Sequence, residues 1–227
     1  MNSNFVDDAF FIFQGIYSRS GNIIGVECLT RNPITTDSSE FVFSKYDSKT
    51  KIDLFNEQLN FLLENILFFK KNKILATLNV DNDIIEFGIN NKVMNLINDT
   101  GIIRLEINEF VTIENLKLIS NLCIYDKRLL WLDDFFLMND DFSILEQSCF
   151  ECIKLDKEFF WWLYKNEKKR MLQKVISKIN KKNMFVVVEG VENTNQKKWL
   201  SDSRVLGMQG FIWPEIRADL FVLNGQN

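Results

Sequence analysis

Short apolar runs alternate with amphipathic stretches from one end of the chain to the other. Runs rich in Ile, Val, Leu and Phe predict strands at Phe10 to Tyr17, Ile23 to Leu29, Ile74 to Val80, Ile102 to Ile107, Leu129 to Asp133, Cys152 to Leu155, Met184 to Glu189 and Val205 to Ile212. Between them apolar residues recur at helical spacing. In Ile52 to Lys70 the residues Leu54, Leu59, Leu62, Leu63 and Leu67 form one stripe, and Phe159 to Ile179 is a second helical stretch. Ser18 to Asn22 is too short for a crossover helix, so the first two strands pair as an antiparallel hairpin, and the rest reads as βα units. Eight strands with helices between them in 227 residues predict one α/β domain, a (β/α)8 TIM-like barrel with its first strand antiparallel. A doubly wound open sheet is the alternative.

Barrel active sites collect at the C-terminal ends of strands, and there polar residues interrupt the apolar runs: Glu27, Asn79, Glu106, Asp133 with Asp134, Lys154, Glu189 and Gln209. One such residue is ordinarily a strand-end cap. A set at corresponding places is a site, because each buried carboxylate costs several kcal/mol unless paired or metal-bound. The ligand atoms are oxygens, which select Mg2+ or Mn2+ over zinc, and two such ions side by side suit phosphodiester hydrolysis.

Composition narrows the chemistry. The chain has no histidine, which removes Ser-His-Asp and Cys-His nucleophilic sites and His-ligated zinc. A net charge of −4 argues against direct nucleic-acid binding. No apolar run reaches the length of a membrane span, and the N-terminus lacks a signal-peptide pattern. Cys28, Cys123, Cys149 and Cys152 lie in apolar segments and read as buried thiols of a cytoplasmic protein.

The ordered motifs resemble those of EAL domains, the cyclic di-GMP phosphodiesterase fold, over nearly the whole of 1–227. Phe13-Gln14-Gly15-Ile16 is similar to the family's Tyr-Gln-Pro-Ile, and Gly25-Val26-Glu27-Cys28-Leu29-Thr30-Arg31 to its Gly-Val-Glu-Ala-Leu-x-Arg. Leu78-Asn79-Val80, Leu105-Glu106-Ile107-Asn108-Glu109, Leu132-Asp133-Asp134-Phe135, Lys154-Leu155-Asp156, Glu189-Gly190-Val191-Glu192 and Gln209-Gly210-Phe211 follow in the family's order. The resemblance implies metal ligation by Glu27, Asn79, Glu106 and Asp133, with Asp134 at a second ion. It implies that Lys154 and Glu189 position or activate water, and that Gln14, Arg31 and Gln209 contact the dinucleotide.

The departures from the pattern imply something else. Where the family has Gly-Thr-Gly-Tyr-Ser-Ser after the paired aspartates, this chain has Phe136-Leu137-Met138-Asn139-Asp140-Asp141. Bulky residues replace glycines free to take positive φ, and two acids approach a pocket for an anionic ligand. Gln209-Gly210-Phe211-Ile212 runs into Trp213-Pro214, an ending that resembles degenerate EAL-like proteins of the YdiV type. That resemblance implies a catalytically silent, stand-alone regulator that binds the FlhD subunit of the flagellar activator FlhDC and represses motility, with cyclic di-GMP weak or absent and no cofactor needed. The intact ligand set implies the alternative, an active phosphodiesterase giving linear pGpG. Finally, Phe159-Phe160-Trp161-Trp162-Leu163-Tyr164 sweeps more than a full helical turn, so some of it faces outward. Phe159, Phe160, Trp161 and Trp162 are candidates for a partner surface, unless neighbouring helices cover them.

Overall fold

The computed structural model describes residues 9–31, 45–108, 110–123, 129–136, 142–147 and 150–224. Its strands are β1 (Phe10–Tyr17), β2 (Ile23–Arg31), β3 (Leu75–Val80), β4 (Ile103–Asn108), β5 (Leu130–Phe135), β6 (Phe150–Leu155), β7 (Phe185–Val188), β8 (Gly207–Met208) and β9 (Ile216–Arg217). They hydrogen-bond in the order β2-β3-β4-β5-β6-β7-β8-β1, and β1 pairs back onto β2, which closes the barrel. From β2 to β8 every pairing is parallel, whereas β1 runs antiparallel to β2 and β8.

The helices are α1 (Ser48–Glu64), α2 (Ile66–Asn72), α3 (Asn91–Thr100), α4 (Ile113–Leu122), α5 (Ile144–Gln147), α6 (Lys157–Lys165), α7 (Lys169–Asn180), α8 (Thr194–Trp199) and α9 (Ala218–Asn224), with a π-helical turn at Ile84–Gly88. Among the described residues, no helix is long and apolar enough to cross a membrane.

Two long helices read from the periodicity are each broken in two, by the same device. Asn65 and Asn166 turn their amide N–H groups onto the carbonyls of Phe61 and Trp162, four residues back, and so compete with the helical ladder. The break after α1 rotates the stripe, so Leu54, Leu59 and Leu62 are buried while Leu67 is 79% exposed. The eighth strand is also shorter than its apolar run. Gly210 takes φ 152 where a Cβ would lie 2.4 Å from the Val191 backbone, and the chain turns there. It then returns as β9, a strand absent from the periodicity reading, pairing Ile216 with Phe13.

The barrel has two cores. One lies between the outer wall and the helices, where Phe13 packs edge-on against Phe61, Phe69 and Phe221. The other fills the barrel interior with Ile16, Trp131, Cys152 and Val187, flanked by Ile24, Leu75 and Leu206. Beside it Glu151 accepts hydrogen bonds from Arg104 Nε at 2.6 Å and Trp131 Nε1 at 2.8 Å. The interior is therefore plugged beneath the strand ends, as in other filled barrels.

Candidate functional site

Side chains alternate along a strand with period two, so residues late in successive parallel strands arrive at one mouth of the barrel. Glu27 on β2, Asn79 on β3, Glu106 on β4, Asp133 on β5 and Lys154 on β6 do so, as does Glu189 just after β7. All the carboxylates except Asp134 meet at the Lys154 ammonium. Nζ lies 3.0 Å from Glu27 Oε2, 2.7 Å from Glu106 Oε2, 2.8 Å from Asp133 Oδ1 and 2.9 Å from Glu189 Oε1. Asn79 Nδ2 donates to Glu27 Oε1 at 2.7 Å, and Gln209 Nε2 donates to Glu27 Oε2 at 2.6 Å and to Gln14 Oε1 at 2.9 Å.

Consecutive Asp133 and Asp134 would face opposite sides of a regular strand. The β5–β6 register shows why they do not. Leu132 opposes Ile153 and Phe135 opposes Leu155, so two residues of β5 span one of β6, a bulge, and Asp134 takes the left-handed φ of 51°. The bulge brings carboxylate oxygens of Asp133, Asp134 and Glu189 within 4.8 Å of one another, and those of Glu27, Glu106 and Asp133 form a second such group sharing Asp133. Glu189 thus joins a potential ligand set, a role that its motif alone did not suggest.

An ammonium has three protons and here faces four carboxylates. It hydrogen-bonds Glu27 and Glu106 and ion-pairs with Asp133 Oδ1, and among the described residues the buried Glu106 Oε1 has no hydrogen-bond partner. Burial and the Glu27 carboxylate push Glu106 well above the usual carboxylate range; burial and neighbouring acids do the same for Glu189 and, less strongly, Asp133. Glu27 goes the other way. Burial opposes its charge, but Lys154, Asn79 and Gln209 outweigh it and hold the carboxyl below its ordinary value. For Lys154, burial is outweighed by the acids around it, and its pKa is raised well above normal. Burial also pushes the Cys28 and Cys152 thiols up, so neither supplies a thiolate. Excess negative charge, the unpartnered Glu106 oxygen and an all-oxygen donor set fit hard divalent cations such as Mg2+ or Mn2+.

The remaining sequence candidates divide. Gln14 and Gln209 belong to the hydrogen-bond network under the mouth. Arg31, at the end of β2, pairs with Glu215 through Nη2 at 2.6 Å and is not part of that network. Of the aromatic run, Phe159 and Phe160 are buried, so they are unavailable to a partner, because the capped start of α6 turns them onto the core. Trp161 donates its indole N–H to Gly190 O at 2.6 Å, and Gly190 has φ 71° with Lys157 and Trp161 so close that a Cβ would clash. Trp161 therefore braces the turn after Glu189. Trp162 alone of the four candidates is exposed, at 48%. Phe136 packs edge-on against Phe159 at 5.4 Å, while the rest of the replaced loop, Leu137 to Asp141, lies outside the described residues, as does Cys149.

Sequence reasoning missed two supporting groups. Gln58 Nε2 donates to Cys28 O and Thr30 Oγ1, tying α1 to β2 behind Glu27. Its signal was a polar residue on a helix's apolar stripe. Asn82 donates to Phe110 O and accepts from Thr112 N and Asn115 Nδ2, clamping the loops after β3 and β4; nothing in its spacing marked it.

Comparison with known proteins agrees with this geometry. The model of the EAL domain matches residues 6–215. The chain is 26% identical over 209 residues to the cyclic di-GMP phosphodiesterase PdeH of Escherichia coli (strain K12), covering 89% of this chain and 81% of that one. Among solved structures it is similar to the EAL-like domain protein YdiV, with a TM-score of 0.80, 19% identity and 96% and 98% of the two chains covered. It is also similar to the FimX EAL domain from Pseudomonas aeruginosa bound to c-di-GMP, with a TM-score of 0.72, 16% identity and 93% and 92% covered. The motifs, the closed barrel with its antiparallel first strand and the family match together make the chain a member of the EAL domain family.

Proposed function

We propose that the chain is a Mg2+- or Mn2+-dependent phosphodiesterase that opens cyclic di-GMP to linear pGpG. The observation that carries this reading is the ring of carboxylates around a single ammonium, Lys154, with the buried Glu106 Oε1 left without a hydrogen-bond partner among the described residues. A module that only displayed its outer surface would be as stable or more so with apolar residues there, because buried ion networks rarely repay their desolvation. Glu27, Asn79, Glu106, Asp133, Asp134 and Glu189 would hold the ions, which supply charge neutralisation and a more acidic bound water. Lys154 keeps the carboxylates together, Glu189 receives a proton from the attacking water, and Gln14 and Gln209 fix Glu27; Arg31 contacts the ligand only after leaving Glu215. Incubation with cyclic di-GMP and Mn2+ should give the linear dinucleotide, and chelation or Glu27→Ala should abolish it.

A second reading is favoured by Phe136. Its contact with Phe159 holds down the start of a segment that needs freedom in the resembling active loop, and a displacement of about 1 Å can cost two orders of magnitude in rate. On this reading the chain is a silent cytoplasmic regulator that binds FlhD, not DNA, and lowers flagellar gene expression, with Trp162 as the exposed anchor. Likeness to YdiV supports the fold needed for it. Absence of turnover together with FlhD capture that survives Glu27→Ala would put this reading in place of the first.

A further inference from the structure

On the outer flank of the barrel, the hairpin between β1 and β2 faces α8 across a cleft of about 270 Å3 lined by Arg19, Thr194, Lys197, Lys198, Ser201 and Met208. Three of the six are cations and none is an acid, although the chain as a whole carries a net −4. Among the described residues, none of the three cations forms an ion pair, whereas nearby Lys169 is paired with Asp202. Three like charges around one cleft repel one another, and that repulsion is relieved by an anion.

Two of the cations, Arg19 and Lys197, make contacts that orient them. The hairpin is tied by Ser18 N to Asn22 O at 2.8 Å, Gly21 N to Ser18 O at 2.9 Å and the Ser18–Ser20 hydroxyl pair at 2.8 Å. Arg19 leans across to donate Nη1 to Ser201 O at 3.3 Å, leaving the rest of its guanidinium fork for a ligand. Lys197 lies over the Trp213 ring at 5.5 Å, and the ring's position is fixed by stacking on Tyr17 at 4.4 Å. Here the Trp-Pro ending serves this flank and not the mouth. Thr194 and Ser201 add hydroxyls to the lining.

We propose that this cleft binds the phosphate group of a small phosphorylated ligand. An arginine fork with two ammonium groups and hydroxyls is the donor set that phosphate oxygens take. The volume is just under the range of drug-sized sites, which suits a compact phosphate ester or diphosphate. The site is separate from the carboxylate mouth: Met208 floors the cleft, while its neighbour Gln209 faces inward to Glu27.

Calorimetric titration with inorganic pyrophosphate tests this, in chelator-containing, low-salt buffer so that no metal at the mouth contributes. Saturable binding is expected, weakened about tenfold or more by Arg19→Ala and by the double variant Lys197→Ala/Lys198→Ala, and weakened by added salt. These residues are at the surface, and unchanged denaturation midpoints would establish that the variants fold. No saturable binding, or binding that the variants leave intact, overturns the proposal. Sedimentation with phosphatidylcholine vesicles, with and without phosphatidylglycerol, distinguishes the source of the phosphate. Lysine-dependent capture by the anionic vesicles without pyrophosphate binding would overturn the small-ligand site in favour of a lipid surface.

Discussion

Among the described residues, Lys154 is the basic residue that the carboxylates of the mouth gather around, and its ammonium is a counter-ion to four of them. Lys154→Met keeps the length of the side chain and removes the charge, so the acids lose their shared partner in a buried place. We expect a loss of about 3–5 kcal/mol in metal-free denaturation, with part of it restored by Mn2+. A variant as stable as the parent without metal would show that the network is not held by this charge. The acids also set a pH dependence. Glu106, Asp133 and Glu189 are raised in the folded state, so folded protein holds protons that unfolded chain releases. The stability they contribute is complete below the ordinary carboxylate range and falls as pH rises through their folded values. Metal-free denaturation midpoints should therefore decline from pH 5 towards neutrality, and Mn2+ should flatten the decline; a metal-free midpoint that rises over that window would contradict the arrangement.

The elements around the mouth add their own constraints. Trp161 on α6 braces Gly190, so Trp161→Phe should cost about 1 kcal/mol through the lost indole bond and reduce metal-dependent turnover by loosening Glu189. Trp162→Ala, one residue along the same helix, should change stability by less than about 0.5 kcal/mol because its ring is largely in solvent. Equal effects of the two would refute the division of the aromatic run. Replacing Phe136-Leu137-Met138 by Gly-Thr-Gly frees the segment from Phe159 and should raise cyclic di-GMP turnover; an unchanged rate would mean that the segment is not what limits the site.

Across the whole molecule, the barrel and its mouth were legible because period-two alternation and strand-end polar residues are local signals that the fold preserves. Glu27, Glu106 and Lys154 needed only to sit late in parallel strands to meet. What escaped the pattern depended on backbone events or distant partners. The Asp133–Asp134 bulge inserts a residue that alternation does not show, and Asn65 and Asn166 break helices whose apolar spacing continues past them. The pairing of Arg31 with Glu215 joins residues that only barrel closure brings together. Burial of Phe159 and Phe160 likewise depended on how α6 is rotated on the barrel, which a run of aromatics does not specify.

Closure itself carries a consequence for how the chain is made. β1 is synthesised well before β8 and β9, yet it bonds to both of them as well as to β2. Until residues 207–217 have left the ribosome, the nascent sheet has two open edges, with Glu27 near one and the place of Gln209 still empty at the other. Contacts of such long sequence separation form late and slowly, and unpaired edges invite association with other chains. The mouth is thus completed only after β8 and Gln209 have been made. Ribosome-bound chains stopped before residue 207 should be digested readily at β1, and those carrying a C-terminal linker long enough to bring residues 207–217 out of the exit tunnel should resist; equal protection in both would mean that the early strand finds a stable place without its late partners.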